Sequence, residues 1–338
     1  MTDVGTISRL KNFTVSVIIP VYNAASYVTQ AVESALSQPE TGEVILVEDG
    51  SPDGSLQVCL KLAEKYEKVS LLQHPGGINK GAGASRNLGM QNTKFDYIAF
   101  LDADDFYLPG RFAETVKVFK TNPDSGGVYE AIGTVVEDEL AHDRWVASRE
   151  MGRQLITMTK VVPPEELLER LVFGGAGYFS PDGFVFRRSL IQEVGLMDEE
   201  LRLHQDNEFF FRLAAVTDLL PGSLAEPVAM RRVHQHNRIT APRSKLQIYQ
   251  DRLKMWKSSY RWFRGRDNQK QKEIILTALI SYCRSYGFGE NSGRKGRKFE
   301  IERRLRLLQL PINFPELIIA KRFWLPFLPL RLQKKFNN

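Results

Sequence analysis

Three carboxylates stand within four residues at Asp102, Asp104 and Asp105, directly after the apolar run Tyr97-Ile98-Ala99-Phe100-Leu101. Such a run suits a buried strand, whose end would present the acids at the rim of a sheet. Carboxylates this crowded repel one another unless a cation or strong donors neutralise them. A hard divalent ion that keeps sites for phosphate oxygens, Mg2+ or Mn2+, would meet that need. On spacing alone, an acidic turn ahead of the Pro109-Gly110 break accounts for the same residues.

Other stretches supply the sheet that such a rim requires. Val15-Ser16-Val17-Ile18-Ile19-Pro20-Val21-Tyr22-Asn23 is a β-branched strand with a proline near its end, and residues 24–38 carry Tyr27, Ala31, Ala35 and Leu36 at helical spacing. A second strand, Val44-Ile45-Leu46-Val47, runs into Glu48-Asp49-Gly50-Ser51-Pro52-Asp53-Gly54. Asn79 to Gly89 is a small-residue loop that opens a helix, and the strand before Asp102 follows it. Strands alternating with helices, with glycines and polar residues at the strand ends, predict an α/β fold with a mostly parallel central sheet. Ligands of such sheets lie beyond the carboxyl ends of the strands.

Five motifs in order resemble those of the family-2 glycosyltransferases, which have the GT-A fold. They are Val17 to Asn23, Val47-Glu48-Asp49-Gly50-Ser51, Asn79 to Asn87, Asp102-Ala103-Asp104, and Gln205-Asp206-Asn207-Glu208 ahead of Phe209-Phe210-Phe211-Arg212-Leu213. The resemblance covers roughly residues 13 to 240. It implies an inverting, metal-dependent transferase that moves a sugar from a nucleotide-diphosphate sugar, a UDP-sugar first among them, to an acceptor hydroxyl. In that pattern Asp206 is the base, and Asp104 holds Mg2+ or Mn2+ with Asp102 at the ribose or the metal shell. Asp49 contacts the base, Pro20, Tyr22, Asn23 and Glu48 line the nucleotide rim, and Asn79, Gly81 and Arg86 face the diphosphate. The segment Arg231 to Arg238 resembles the one that closes over the diphosphate, with His234 as a metal or phosphate ligand. Gly175, Gly177 and Gln205 are expected at the acceptor. Two departures stand out: Glu48-Asp49 replaces the usual Asp-Asp, and Gln205-Asp206 replaces the usual Glu-Asp.

The residues themselves leave alternatives open. Asp49 could accept the N3–H of uracil or form a turn with Gly50. Asn79–Asn87 lacks both the Gly-x-x-x-x-Gly-Lys-Ser/Thr and the Gly-x-Gly-x-x-Gly patterns, so Arg86 faces a diphosphate or pairs with Asp102 or Asp104. Asp206 could cap the helix that follows it. A nucleotidyltransferase would also want acids and a metal on an α/β sheet, but its glycine-rich, lysine-bearing signature is missing.

A chain of 338 residues with 43% hydrophobic and 25% charged content describes an ordinary globular protein. Cys59 and Cys283 are its only cysteines, which supports neither a disulfide framework nor a zinc site and suggests a reducing, cytoplasmic setting. Neither a signal-peptide core in residues 1–12 nor a run of about 18 apolar residues is present. The net charge of +6 divides unevenly. Residues 241–338 hold 23 Lys/Arg and 7 Asp/Glu (+16), and residues 1–240 hold 23 and 33 (−10). The expected organisation is a tail (1–12), a nucleotide-sugar half (13–120), an acceptor half (121–240) and a basic, mainly helical region (241–338). The acidic first part argues against nucleic acid as the partner. The run Leu317 to Arg331 suits an interfacial anchor that would bring the enzyme to a membrane and a glycan or lipid-linked acceptor. The competing reading is a tail folded onto the catalytic part or onto a second subunit of a homo-oligomer.

Overall fold

The structure, a computed structural model, describes residues 13–137, 155–234 and 243–285, together with 308, 310–318 and 324. The chain divides into two compact units, Met1–Ser244 and Lys245–Asn338.

In the first unit the apolar runs become parallel strands β1 (Val15–Val21), β2 (Thr41–Glu48), β3 (Val69–Gln73) and β4 (Tyr97–Phe100). β1 lies in the middle, with Val17 opposite Val44 of β2 on one side and Ala99 of β4 on the other. Beyond β4 the direction reverses at β9 (Phe184–Arg187), which leads on to β6 (Gly127–Tyr129) and β10 (Leu219–Pro221). The seven strands run β3-β2-β1-β4-β9-β6-β10. Nearly every residue of β1 is buried because both faces of the sheet are covered. Val15, Val17, Ile19 and Val21 join one core with α1 (Val28–Leu36), α2 (Ser55–Lys65) and α4 (Ala113–Thr121). Ile18, on the opposite face, joins Phe100 and Phe186 under α3 (Ala82–Gln91) and α7 (Gln205–Val216). α3 comes close because Gly89 has no side chain; a Cβ there would stand 2.4 Å from Ile18 Cγ2.

A second, four-stranded sheet stands beside the acidic loop. Its strands are β5 (Phe106–Tyr107), β11 (Ala229–Val233), β7 (Ile132–Val136) and β8 (Leu155–Ile156), in that order. The helix expected within 24–38 starts only at Val28, and it buries Val28, Ala31, Val32 and Ala35. Tyr27 precedes it and stacks on His234, with ring centroids 4.9 Å apart.

One buried ion pair joins the acidic loop's flank to the large sheet. Arg111 and Glu130 are fully buried and 2.7 Å apart. Glu130 also accepts the Thr115 hydroxyl, and Arg111 Nε donates to the Asp182 carbonyl. The remaining helices of this unit are α5 (Pro164–Phe173) and the short α6 (Ile191–Val194).

The second unit contains α8 (Lys245–Phe263), α9 (Gln269–Ser285) and a short α10 (Leu310–Asn313). Tyr249 stacks on Tyr282 at 5.3 Å, which makes α8 and α9 an antiparallel pair. Phe314 packs edge-on against Tyr260, and Leu310 and Leu317 are buried. Leu317, expected to begin an interfacial anchor, is therefore a core residue. Of residues 319–331 only Trp324 is described, so the rest of that expectation lies outside the described residues. Among the described residues no helix is long and apolar enough to cross a membrane. Cys59 and Cys283 are both buried and unpaired with each other.

Because the Arg111–Glu130 pair has no access to solvent, Arg111→Met should destabilise the protein by about 3–5 kcal/mol in urea unfolding. Adding Glu130→Gln should recover most of that loss.

Candidate active site

The carboxyl ends of β1, β2 and β4 form one rim. β1 delivers Tyr22, half exposed, and Asn23, whose φ of 53° turns the chain so that its N–H meets Ser51 Oγ. Pro20 is still within the strand, opposite Val47. After β2, Gly50 adopts a φ of 68° directly under the Gly77 carbonyl, where a Cβ would come within 2.6 Å. Glu48, expected at the nucleotide, is 1% exposed. Its Oε1 accepts Ser51 N–H at 2.6 Å and its Oε2 accepts Gln73 Nε2 at 2.8 Å. Burial alone would raise its pKa, but these donors together lower it. Glu48 thus holds the turn from beneath.

Asp49 is nearly as buried, at 3%. Oδ1 accepts Lys80 N–H at 2.7 Å and Oδ2 accepts Gly81 N–H at 2.8 Å. Asn79 Nδ2 donates to the Asp49 carbonyl, and Arg202 Nη1 donates to Asn79 Oδ1. The loop with Asn79 and Gly81 (φ 93°) is therefore clipped onto Asp49. A uracil N3–H would share an oxygen that already carries a backbone amide.

The acidic loop follows β4. Arg86, reaching from the middle of α3, donates to Asp102 Oδ1 and lies over the Phe100 ring. Burial disfavours its charge, but Asp102, Asp206 and Asp182 outweigh burial and raise its pKa. Asp182, at the entry to β9, accepts Asp102 N–H at 2.9 Å. Carboxylate oxygens of Asp102, Asp105 and Asp182 all lie within 4.8 Å of one another. Burial, then the charge of Asp102, pushes Asp182 up to about 7, while its hydrogen bond with Asp105 opposes the rise. Burial, then the charges of Asp104, Asp182 and Asp102, drives Asp105 well above the carboxylate range. Both shifts favour a proton on this buried pair.

Asp104 points away from that pair. Its Oδ2 lies 3.1 Å from His234 Nε2, and Arg232 donates to the Asp104 carbonyl through Nε and to Asp105 Oδ1 through its backbone N–H. The partly exposed Asp104, with His234 beside it, offers oxygen and imidazole donors suited to a divalent ion, and among the described residues Asp102, Asp105 and Asp182 are the acids whose oxygens come close enough to share one. Protonation of Asp105 and Asp182 would compete with an ion at that group. Sequence reading missed Asp182 and Arg232. Asp182 sits in a Ser-Pro-Asp-Gly run that reads as a turn, and Arg232 lies in a basic cluster with no period.

Across the rim stands α7. His204, in the left-handed conformation (φ 64°), caps it, so the cap reading of Asp206 is set aside. Asp206 is the second residue of the helix, with Oδ1 accepting Asn207 N–H. Its charge helps to raise the pKa of Arg86. Asn87 ties α3 to the approach to α7, trading hydrogen bonds with both the N–H and the carbonyl of Met197. Gln205, expected at the acceptor, is 4% exposed and packs on Gly83, whose added Cβ would lie 3.2 Å from Gln205 Cγ. Gly177 presses against Thr157–Thr159, whereas Gly175 faces open space.

The rim of a mostly parallel sheet, an acid loop after its fourth strand and a facing acidic helix define a GT-A fold. Residues 16–195, over half the chain, match glycosyl transferase family 2, and the chain belongs to that family. An uncharacterized glycosyltransferase of Rickettsia prowazekii (strain Madrid E) is 26% identical over 279 residues, covering 80% of this chain and 82% of that protein. The succinoglycan biosynthesis protein ExoU of Rhizobium meliloti (strain 1021) is 28% identical over 215 residues, covering 60% of this chain and 57% of its own length. S. aureus TarS 1-349 in complex with UDP-GlcNAc shares the fold with a TM-score of 0.60 at 18% identity, over 80% of this chain and 72% of that one. The mannosyltransferase PcManGT of Pyrobaculum calidifontis, in complex with GDP-Man and Mn2+, has a TM-score of 0.51 at 15% identity, over 91% and 81%.

The folded protein favours a proton on Asp105–Asp182 that the unfolded chain releases near pH 4. These groups therefore favour folding at low pH and lose that contribution as pH rises from about 4 to 7. Without divalent ions, the urea midpoint should fall between pH 5 and 8, and Asp182→Asn should flatten the fall.

Proposed function

We propose that the protein is an inverting glycosyltransferase that moves a sugar from a UDP-sugar to an acceptor hydroxyl in cell-surface polysaccharide synthesis. The observation that carries this reading is the ion pair of Arg86 with Asp102 at the carboxyl end of β4, within electrostatic reach of Asp206. Tyr22, half exposed at the end of β1, would lie along the base, with Asp49 at the base edge beside it. The backbone at Asn79–Gly81 would approach the diphosphate, where glycine allows close contact. Asp206 would take the acceptor proton as the hydroxyl oxygen attacks the anomeric carbon from the face opposite the leaving diphosphate. Arg86, already charged and buried, needs little reorganisation to stabilise the leaving group. Asp104, His234 and Asp102 would hold Mg2+ or Mn2+, which when bound neutralises the departing diphosphate. ExoU, named for succinoglycan biosynthesis, supports the polymer class. TarS with UDP-GlcNAc supports the donor class, and PcManGT with GDP-Man and Mn2+ supplies both the alternative donor and the metal. A glycan or lipid-linked molecule is the expected acceptor.

Asp206→Asn should keep donor binding and lower turnover by roughly 10²–10⁴ with radiolabelled donors. Loss of folding with no effect on turnover per folded molecule would remove Asp206 from the chemistry. Asp104→Asn should abolish the stimulation of activity by Mn2+ or Mg2+, and full activity in excess chelator would exclude a metal. UDP should raise the melting temperature more than CDP or GDP at equal concentration, whereas a preference for GDP would transfer the donor assignment to a GDP-sugar.

A further inference from the structure

The second unit carries charge that the catalytic reading leaves unused. Residues 245–338 contain 22 Lys/Arg against 7 Asp/Glu, a net +15. On α8 that charge is ordered. The buried residues Tyr249, Trp256, Ser259 and Phe263 define one side of the helix. Leu246, Gln250, Lys254, Lys257 and Arg261 follow one another at steps of three or four, which puts them in a single row on the other side. Arg264 extends the row, since its N–H still donates to the Tyr260 carbonyl as in a helix. Lys254, Arg261 and Arg264 are exposed and Lys257 half-buried, and no acid falls within the row. From Lys254 to Arg264 the row runs about 15 Å at the helical rise.

Apolar side chains accompany this row. Leu246, at its start, is exposed. At its far end Arg264 lies over the Phe314 ring, which brings the 310–318 segment alongside. There Ile312 is 79% exposed although Leu310 and Phe314 on either side are buried. Leu308 is exposed as well. A soluble polyanion would use the cations but has no use for a bare isoleucine and two leucines. An anionic bilayer uses both, with cations at the headgroups and aliphatic side chains at the acyl boundary.

We infer that the α8 row Lys254, Lys257, Arg261 and Arg264, with Leu246 and Ile312 beside it, is a docking surface for an anionic lipid bilayer. The occupant is recognised by charge complementarity together with shallow apolar insertion. This places the membrane contact on a folded helix face rather than on the terminal run. It requires neither donor nor acceptor, so it stands apart from the catalytic reading.

The test is co-sedimentation of the full chain with vesicles of phosphatidylcholine alone and with a third phosphatidylserine or phosphatidylglycerol. The anionic vesicles should bind the protein and the neutral ones should not. Lys254→Gln/Lys257→Gln/Arg261→Gln should weaken partitioning by roughly a hundredfold, at about fivefold per cation. Ile312→Ser should weaken it severalfold and leave the salt dependence unchanged. Circular dichroism melting of both variants, whose changes lie at the surface, should match the parent. Binding that survives the triple substitution would overturn the proposal. So would an Ile312→Ser protein of unchanged affinity in a chain that also binds soluble polyphosphate as tightly as vesicles, since that marks a polyanion site.

Discussion

The first unit is organised around too many carboxylates in too small a space. Asp102, Asp105 and Asp182 place oxygens within 4.8 Å of one another, with Asp104 next in the chain. Two unit charges 4 Å apart repel by about 4 kcal/mol at an effective dielectric near 20, more than a surface ion pair returns. Three devices relieve the repulsion. The raised pKa values of Asp105 and Asp182 favour a proton on that pair, Arg86 meets Asp102, and Arg232 with His234 attends Asp104 and the loop backbone. These groups arrive from α3, β9 and β11, so the loop holds its shape only if both sheets are assembled around it. The two acids that favour a proton are the buried ones, which leaves Asp102 and Asp104 at the rim.

α3 carries the consequences of this arrangement to the other side of the cleft. Gly89 lets it approach β1, and Gly83 lets α7 approach it. Between those glycines, Arg86 turns to the acid loop and Asn87 to Met197 and Glu199. The helix that follows the small-residue loop is therefore also the bolt between the acid loop and the approach to α7. Asp206 owes its position near Arg86 to that bolt. Glycines recur there because the side chains of Ile18 and Gln205 occupy the space that a Cβ at Gly89 or Gly83 would need.

The second unit obeys a different economy. Its helices bury tyrosine, tryptophan and phenylalanine on one side and leave the cations outside. Leu317 shows how composition alone can mislead. An apolar run among basic residues has the makeup of an interfacial segment, yet its first residue belongs to the interior. Burial is decided by what packs opposite, and composition does not contain that information.

The parallel strands β1, β2 and β4 were legible in the sequence because strands covered on both faces must be apolar throughout, and a continuous run is its own signal. The acids at the end of β4 and the small-residue loop before α3 were legible for the same reason, as polar residues placed where a buried strand stops. Family membership was carried by the order of those motifs. Tertiary structure alone decided what each polar residue does. Glu48 and Gln205 are picked out by position in the sequence, and folding sets one under its turn and the other against Gly83. Asp182 supports Asp102 from 80 residues away, Arg232 holds Asp105 from 127, and His234 meets Asp104 from 130. Contacts at such separations leave no period or spacing in the chain, because they exist only after the intervening elements have packed.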